Sequence, residues 1–547
     1  MGNINMFHFM CGEGTFRKIC LCGLLSCCGN LSAYAAASGS FAIQEQNNLP
    51  DSAAVIKRSS DKSLSSVNIK SVWKNMVMGI RSEAGIRAIV SSRDTLPFWA
   101  TANMHGIMPK SGGAIMSLKT GSCIDEGSRR FQLGFGASGV TYFSGHGNNF
   151  LIDELYGAVK KGIFRLDIGR RNREYYYDGM YHNDLMYGGL SVSNGNIIYS
   201  GNARTMPGYN LIIEPFVMPF TNERVKVYAN FSDYKMLDNR YVDGTMVHSQ
   251  SLFINVRLAK RWSMDLGLED WAQWAGKNPD GTKNPSGFKD YLRIITGTNG
   301  GSDASASDMI NALGNHLGRI LCKLNYRGDG YRASLAMDGP YDDGSGMSFQ
   351  NFPDAIWTLY YGSDNKKRWV SDVVLEIIYT KSQSGMYHLR PVSEEEKKKQ
   401  DPNSWHYGYR VSGGNDNYFN NSCYKSGWTY YGRIAGIPLY TPMNVGADGV
   451  TMGICNNRVL AYHFGIRGMI ARKLPYSLKV TYSKNYGRYT QSYKLFDSIP
   501  HELYIGLDGE LPHIKSFPFV LTYGVYSNEG EIFKDCVAFS FGMKLKF

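Results

Sequence analysis

The 547-residue chain carries a formal charge of +12, is 13% aromatic with 37 Tyr and 61 Gly, and has a mean hydropathy of −0.30. Length admits either several soluble domains or one large closed barrel, but beyond the first few dozen residues no run approaches the about 18 apolar residues a membrane-crossing helix needs, which excludes helical spanning. The basic residues are spread among strand-like segments, which argues against nucleic acid and for acidic partners such as lipopolysaccharide phosphates or anionic glycans.

The chain opens with Arg17 and Lys18, an interrupted apolar run from Ile19 to Leu31, and Ala33-Tyr34-Ala35, which reads as a signal peptide over residues 1–35 with Ala33 and Ala35 at the cleavage site. A competing lipoprotein reading rests on Leu24-Leu25-Ser26-Cys27, a loose lipobox. Five of the ten cysteines lie in or before this leader. The others, Cys123, Cys322, Cys423, Cys455 and Cys536, are scattered and odd in number, which supports neither a disulfide framework nor a structural zinc, and no cofactor is expected. Residues 36–95 are rich in Ser, Ala and Lys, with helical spacing through Val72, Met76, Ile80 and Ala84. They read as a periplasmic segment that folds as a small helical plug.

From residue 96 to 547 the pattern changes to period two. Gly134-Phe135-Gly136-Ala137-Ser138-Gly139 matches G-x-G-x-x-G, yet Val140-Thr141-Tyr142-Phe143 follows where a dinucleotide site needs a helix, so the glycines read as lumen-facing or bend positions of a strand. Alternating sets recur: Val225, Val227, Ala229 and Phe231; Leu252, Ile254, Val256 and Leu258; Trp262, Met264, Leu266 and Leu268. Ile320, Cys322, Leu324 and Tyr326 precede Gly328-Asp329-Gly330, and Tyr331, Ala333, Leu335 and Met337 follow it, a hairpin whose short turn belongs on the periplasmic side of a barrel.

After Val373, Leu375, Ile377 and Tyr379, residues 382–421 are long and polar and read as an extracellular loop. In and beyond it, Trp405, Tyr407, Tyr409, Trp428, Tyr430 and Tyr431 are candidate stacking surfaces for sugar rings; interfacial girdles account for such aromatics equally well. Alternation resumes with Tyr476, Leu478, Val480 and Tyr482, and again with Phe519, Leu521, Tyr523 and Val525. His501-Glu502-Leu503-Tyr504-Ile505 lacks the second His of a zincin site. No Ser/His/Asp set nominates itself, so no enzymatic activity is expected. In the last segment Val537, Phe539, Phe541, Met543, Leu545 and Phe547 alternate with small or basic residues, which gives one face for lipid and one for water. An end in Phe on such a strand resembles the signal read by the bacterial barrel-assembly machinery. The fold expected is an all-β, transmembrane, antiparallel up-and-down barrel in the outer membrane of a Gram-negative cell.

Eight stretches in order resemble the Wzi family of capsule assembly proteins: LPFWATAN (Leu96 to Asn103), SGNARTMPG (Ser200 to Gly208), PFT (Pro219 to Thr221), GLEDWAQWAG (Gly267 to Gly276), NALGNHLG (Asn311 to Gly318), DGSGMSFQNFPDAIW (Asp343 to Trp357), YTKSQSG (Tyr379 to Gly385) and SGWTYYGRIAGIPLYTP (Ser426 to Pro442). The resemblance implies a barrel of about eighteen strands. It also implies a lectin-like role, with capsular polysaccharide as partner and no catalytic residues to carry over; a porin or glycan-uptake channel shares the barrel features. Enterobacterial members carry an N-terminal helical bundle, which the segment before Leu96 suggests only weakly. The chain reads as a monomer. Arg204, Asn311, Asn315, His316 and Asp343 are expected at rim or lumen positions, closing the lumen through hydrogen bonds or forming turns.

Overall fold

The computed structural model describes residues 69–547 apart from 126–127, 146, 173–185, 306–307, 310–311, 412, 445–448, 489–497 and 512–518. The signal peptide with Ala33 and Ala35, and the rim candidate Asn311, lie outside the described residues. Two compact units divide the chain, Met1–Val72 and Trp73–Phe547. Among the described residues, no helix is long and apolar enough to cross a membrane.

Eighteen strands form one sheet. In chain order they are β1 (Ile80–Ser91), β2 (Gly113–Ser122), β3 (Gln132–Ser144), β4 (Gly147–Lys161), β5 (Phe164–Arg170), β6 (Gly208–Val217), β7 (Val225–Lys235), β8 (Met246–Arg257), β9 (Trp262–Trp274), β10 (Asn315–Gly328), β11 (Tyr331–Tyr341), β12 (Ala355–Ser363), β13 (Asp372–Tyr379), β14 (Val459–Ile470), β15 (Leu474–Asn485), β16 (His501–Glu510), β17 (Phe519–Gly530) and β18 (Cys536–Lys546). Each pairs antiparallel with its chain neighbours, and β18 pairs antiparallel with β1, so the ring is closed and no edge is left. The expected hairpin is present, with Cys322 opposite Met337 and Gly328 opposite Tyr331.

The expected boundary at residue 96 is corrected. The barrel strands begin at Ile80, and among the described residues Ile69–Met78 of the preceding segment are helical (α1). Residues four apart share a face in a strand as well as in a helix, so the spacing through Ile80 and Ala84 fitted both.

Alternation positions the two faces. On the closing seam Ile86 lies opposite Met543, Ala88 opposite Phe541 and Val90 opposite Phe539, and Ile86, Val90, Phe539 and Phe541 are all exposed. The intervening Ile89, Ala538 and Ser540 are buried toward the inside. The same parity puts Gly134 and Gly136 of β3 on the inner face, where a Cβ at Gly136 would meet the Tyr156 ring at 2.4 Å. A charge placed on the apolar belt has no water to meet. Phe541→Lys is therefore expected to lower the stability of the barrel in lipid vesicles by about 2–4 kcal/mol, read from the urea midpoint of refolding.

The connections at the two ends differ. At one end they are short, at 162–163, 258–261, 329–330 and 471–473; at the other they include 171–207, 275–314 and 380–458. In barrels of this type the short turns face the periplasm and the long loops the exterior. One long loop packs on the outside of the wall. It holds α3 (Phe288–Thr296), where the Tyr291 hydroxyl donates to Asp233 at 2.5 Å and Asp233 pairs with His248 at 3.0 Å.

Candidate functional site: the filled lumen and the outer loops

Three external loops turn inward and meet inside the ring. The first, after β1, carries the single turn α2 (Phe98–Thr101), whose Trp99 is buried. The second contributes residues 190–206, where Leu190, Val192, Ile197 and Ile198 are buried. The third contributes residues 418–440, with Tyr418, Phe419, Trp428 and Ile437 buried. They hold one another through backbone groups: Ile437 N–H donates to Ile197 at 2.9 Å and Ser200 N–H to Ala435 at 3.1 Å, while the Trp428 indole donates to the Ile198 carbonyl at 2.7 Å. Gly436 permits this approach, since a Cβ there would lie 2.4 Å from the Ile197 oxygen. With inward residues of the wall such as Val247, Trp271, Leu317 and Ile378 they make one continuous apolar core. Among the described residues this core leaves no wide aqueous path at this level.

Inward polar residues of the wall pin the second loop. Arg319 of β10 donates to Glu269 of β9 at 2.9 Å, to Asp338 of β11 at 3.1 Å and to the Gly195 carbonyl at 2.8 Å. Asp338 also accepts the Ile197 N–H at 2.9 Å, and Glu269 accepts the Asn196 amide at 3.0 Å. Glu376 of β13 accepts the Val192 N–H at 2.9 Å, and His463 of β14 hydrogen-bonds to the Leu190 carbonyl at 2.6 Å. A loop without regular structure buries backbone groups that need partners. The wall supplies them.

A closed ring with an apolar exterior leaves no unpaired backbone for lipid to meet, and only such a ring or a helix spans a bilayer. This is an outer-membrane β-barrel with a filled lumen. No family model matches the sequence and no curated relative does. Among solved structures it is similar to Wzi, an outer membrane protein involved in group 1 capsule assembly in Escherichia coli and a carbohydrate-binding β-barrel, at 13% identity over 88% of this chain and 86% of that one, with a TM-score of 0.49. It is also similar to OccK3 (OpdO) of Pseudomonas aeruginosa, at 8% identity over 88% of this chain and 98% of that one (TM-score 0.43). OpdK of the same organism is 10% identical over 86% and 98%, with a TM-score of 0.40.

The expected site residues fall into separate places. Trp405 is 64% exposed, with its ring 5.0 Å from that of Tyr387. Tyr407 and Tyr409 are exposed beside it, on the loop that pairs Leu389–Pro391 with Tyr409–Val411. Trp428 and Tyr430 are a correction: they are 0% and 1% exposed, fixed in the core of the lumen, and offer no ring face to a sugar. Tyr431 is exposed on one side and carries the Arg204 guanidinium 4.4 Å above its ring. Half-buried, Arg204 also donates to the Ile152 carbonyl of β4 at 3.3 Å. Asn315 does face inward, donating to Gln273 at 2.7 Å. His316, the second residue of β10, is at the rim but on its outer face, by parity with Ile320 and Cys322, where it hydrogen-bonds to Asp270 at 2.9 Å and to the Leu313 carbonyl at 3.1 Å. Asp343 is exposed and accepts the Gly346 N–H at 3.3 Å, a turn contact. Glu269, Arg319, Asp338 and Glu376 went unnoticed in the sequence, although charged residues at inward positions of alternating strands are a legible signal.

Another small space, lined by Asp167, Gly169, Arg171, Gly208, Tyr209, Asn210 and Tyr234, measures about 10 Å³, room for no more than a water. Where the third loop leaves β13, Asp354 accepts N–H bonds from Ser382 at 2.8 Å and Gln383 at 2.6 Å and the Tyr418 hydroxyl at 2.7 Å. Burial nevertheless pushes its carboxyl up to about 6, and burial drives Asp342 in the same direction. A folded-state pKa above the unfolded value of about 3.9 means that this group's contribution is fully present below about 3.9, still partly present at pH 5, and lost as pH rises through about 6. Amide exchange over residues 380–385 and 416–419, corrected for intrinsic rates, is expected to be slower at pH 5 than at pH 7. Equal protection would contradict it.

Proposed function

We propose that this chain is a surface lectin of the Wzi type, a non-conducting outer-membrane barrel that binds capsular polysaccharide and helps to hold it at the cell surface. The filled lumen carries this reading, because a diffusion porin or uptake channel needs an aqueous path where Trp271, Trp428 and Ile197 are packed together. The tracts that resemble the Wzi family support it further: Leu96 to Asn103, Ser200 to Gly208 and Ser426 to Pro442 lie in the three loops that meet inside the ring. Tyr387, Trp405, Tyr407 and Tyr409 offer exposed ring faces suited to the apolar C–H face of a pyranose. Lys397, with its ammonium 5.6 Å from the Tyr407 ring, places positive charge beside them for an acidic glycan. The reading involves no chemical turnover, a single chain, lipopolysaccharide as the outer-leaflet surround and the barrel-assembly machinery as the route into the membrane.

Two measurements test it together. Purified protein added to planar bilayers is expected to give no sustained conductance steps, and cells lacking the gene are expected to shed capsule that the parent strain retains. Long-lived open channels with undiminished capsule retention would sink the proposal in favour of a channel.

A further inference from the structure

The short-turn end of the barrel carries a basic sector. Four consecutive turns of the short-turn end, at 258–261, 329–330, 364–371 and 471–473, form one sector and are joined to each other: Arg327 N–H donates to Arg261 at 2.8 Å, Asp364 N–H to Gly330 at 3.0 Å and Met469 N–H to Arg368 at 2.9 Å. Every carboxylate of these turns is already matched, Asp329 by Arg261 at 2.6 Å and Asp364 by Arg327 at 2.8 Å; the adjoining Asp372 is held by Lys366 at 2.6 Å. That leaves Lys260, Lys367, Arg368, Arg472 and Lys473, all exposed and, among the described residues, with no carboxylate paired to any of them.

Immediately toward the membrane the same sector carries an aromatic band. The rings of Trp262 and Tyr326 are 4.8 Å apart, those of Tyr326 and Tyr331 5.9 Å, and those of Tyr331 and Tyr361 5.7 Å. Trp369, 69% exposed, sits among the basic residues of its turn, and Leu258, Ile470 and Leu474 are exposed beside the others. Aromatic rings seat at the headgroup level of a bilayer, and clustered lysine and arginine attract anionic headgroups there. A solvated rim needs neither exposed Trp369 nor a one-sided excess of charge.

We propose that this sector is a binding surface for acidic phospholipid of the inner leaflet, with the phosphodiester headgroups held by Lys260, Lys367, Arg368, Arg472 and Lys473 and the glycerol region lying against Trp262 and Trp369. The surface lies at the opposite end from the external loops and stands or falls independently of the lectin reading.

Full-length protein in nanodiscs of equal phosphatidylglycerol and phosphatidylethanolamine, released for native mass spectrometry, tests this directly. Wild type is expected to retain phosphatidylglycerol at least severalfold over phosphatidylethanolamine, and the preference is expected to shrink as salt is raised before release. The fourfold variant Lys260→Gln, Lys367→Gln, Arg472→Gln, Lys473→Gln is expected to retain the two lipids equally. A matched variant on the external loop, Lys397→Gln, Lys398→Gln, Lys399→Gln, is expected to keep the preference. Wild type that shows no preference, or a preference indifferent to salt, overturns the proposal even if the fourfold variant does not fold. Co-sedimentation with isolated peptidoglycan that competes away the phosphatidylglycerol would assign the surface to the cell wall instead.

Discussion

Arg319→Ala is expected to destabilise the barrel by about 3–5 kcal/mol, the range for breaking a buried ion pair by removing one partner. The guanidinium is fully buried between Glu269 and Asp338 and also holds the Gly195 carbonyl. Without it two carboxylates face each other in a dry interior, and the 190–200 loop loses its central attachment. Two readouts separate the consequences. The urea midpoint in vesicles reports the overall cost, and planar-bilayer recording reports whether the loop has let go, since conductance absent from wild type should then appear. A variant of unchanged stability that stays silent in the bilayer would show that the ion network does not hold the loop.

The second large effect separates two tryptophans that look alike in the sequence. Trp428→Ala removes a ring that is packed against Trp271 at 5.5 Å and bonded to Ile198; loss of a buried Trp costs about 3–5 kcal/mol, and fast amide exchange over residues 190–200 is expected with it. Trp405→Ala removes a ring that is largely exposed, so stability should move by less than about 0.5 kcal/mol. Its effect is expected on glycan binding instead. One stacked ring is worth about 1 kcal/mol, roughly fivefold in affinity, as measured by titration with purified capsular polysaccharide. Equal binding by Trp405→Ala and wild type would remove the outer aromatic cluster from the site and leave the filled lumen untouched.

How much of this was legible in the sequence follows from what period two encodes. In a sheet with one greasy face, the parity of a residue decides its side, and a slip by one would turn every side chain over. The outward faces of β8, β9, β10, β17 and β18, the hairpin at Gly328-Asp329-Gly330 and the strand nature of Gly134 to Gly139 were therefore readable from Leu252, Trp262, Ile320, Phe519, Phe539 and their alternating partners. Parity holds at β1 too, with Arg81, Glu83 and Arg87 on the side of the buried Ile89, but Ile80 and Ala84 are four apart and fit a helix equally well.

The interior of the ring was decided by tertiary structure alone. Residues 190–206 and 418–440 carry no repeat, so nothing local ranks Trp428 above Trp405 for burial. What separates them is contact with elements far away in the chain: Ile198 and Trp271 for Trp428, and only its own loop for Trp405. The two carboxylates that grip Arg319 follow from strand pairing, Glu269 directly opposite on β9 and Asp338 on β11, but the Gly195 carbonyl and Ile197 N–H held with them come from a loop more than a hundred residues away. The sequence thus determined which faces meet lipid, because that depends on residues two apart. Whether the lumen is open or filled depends on loops meeting across the ring, and only the folded chain brings them together.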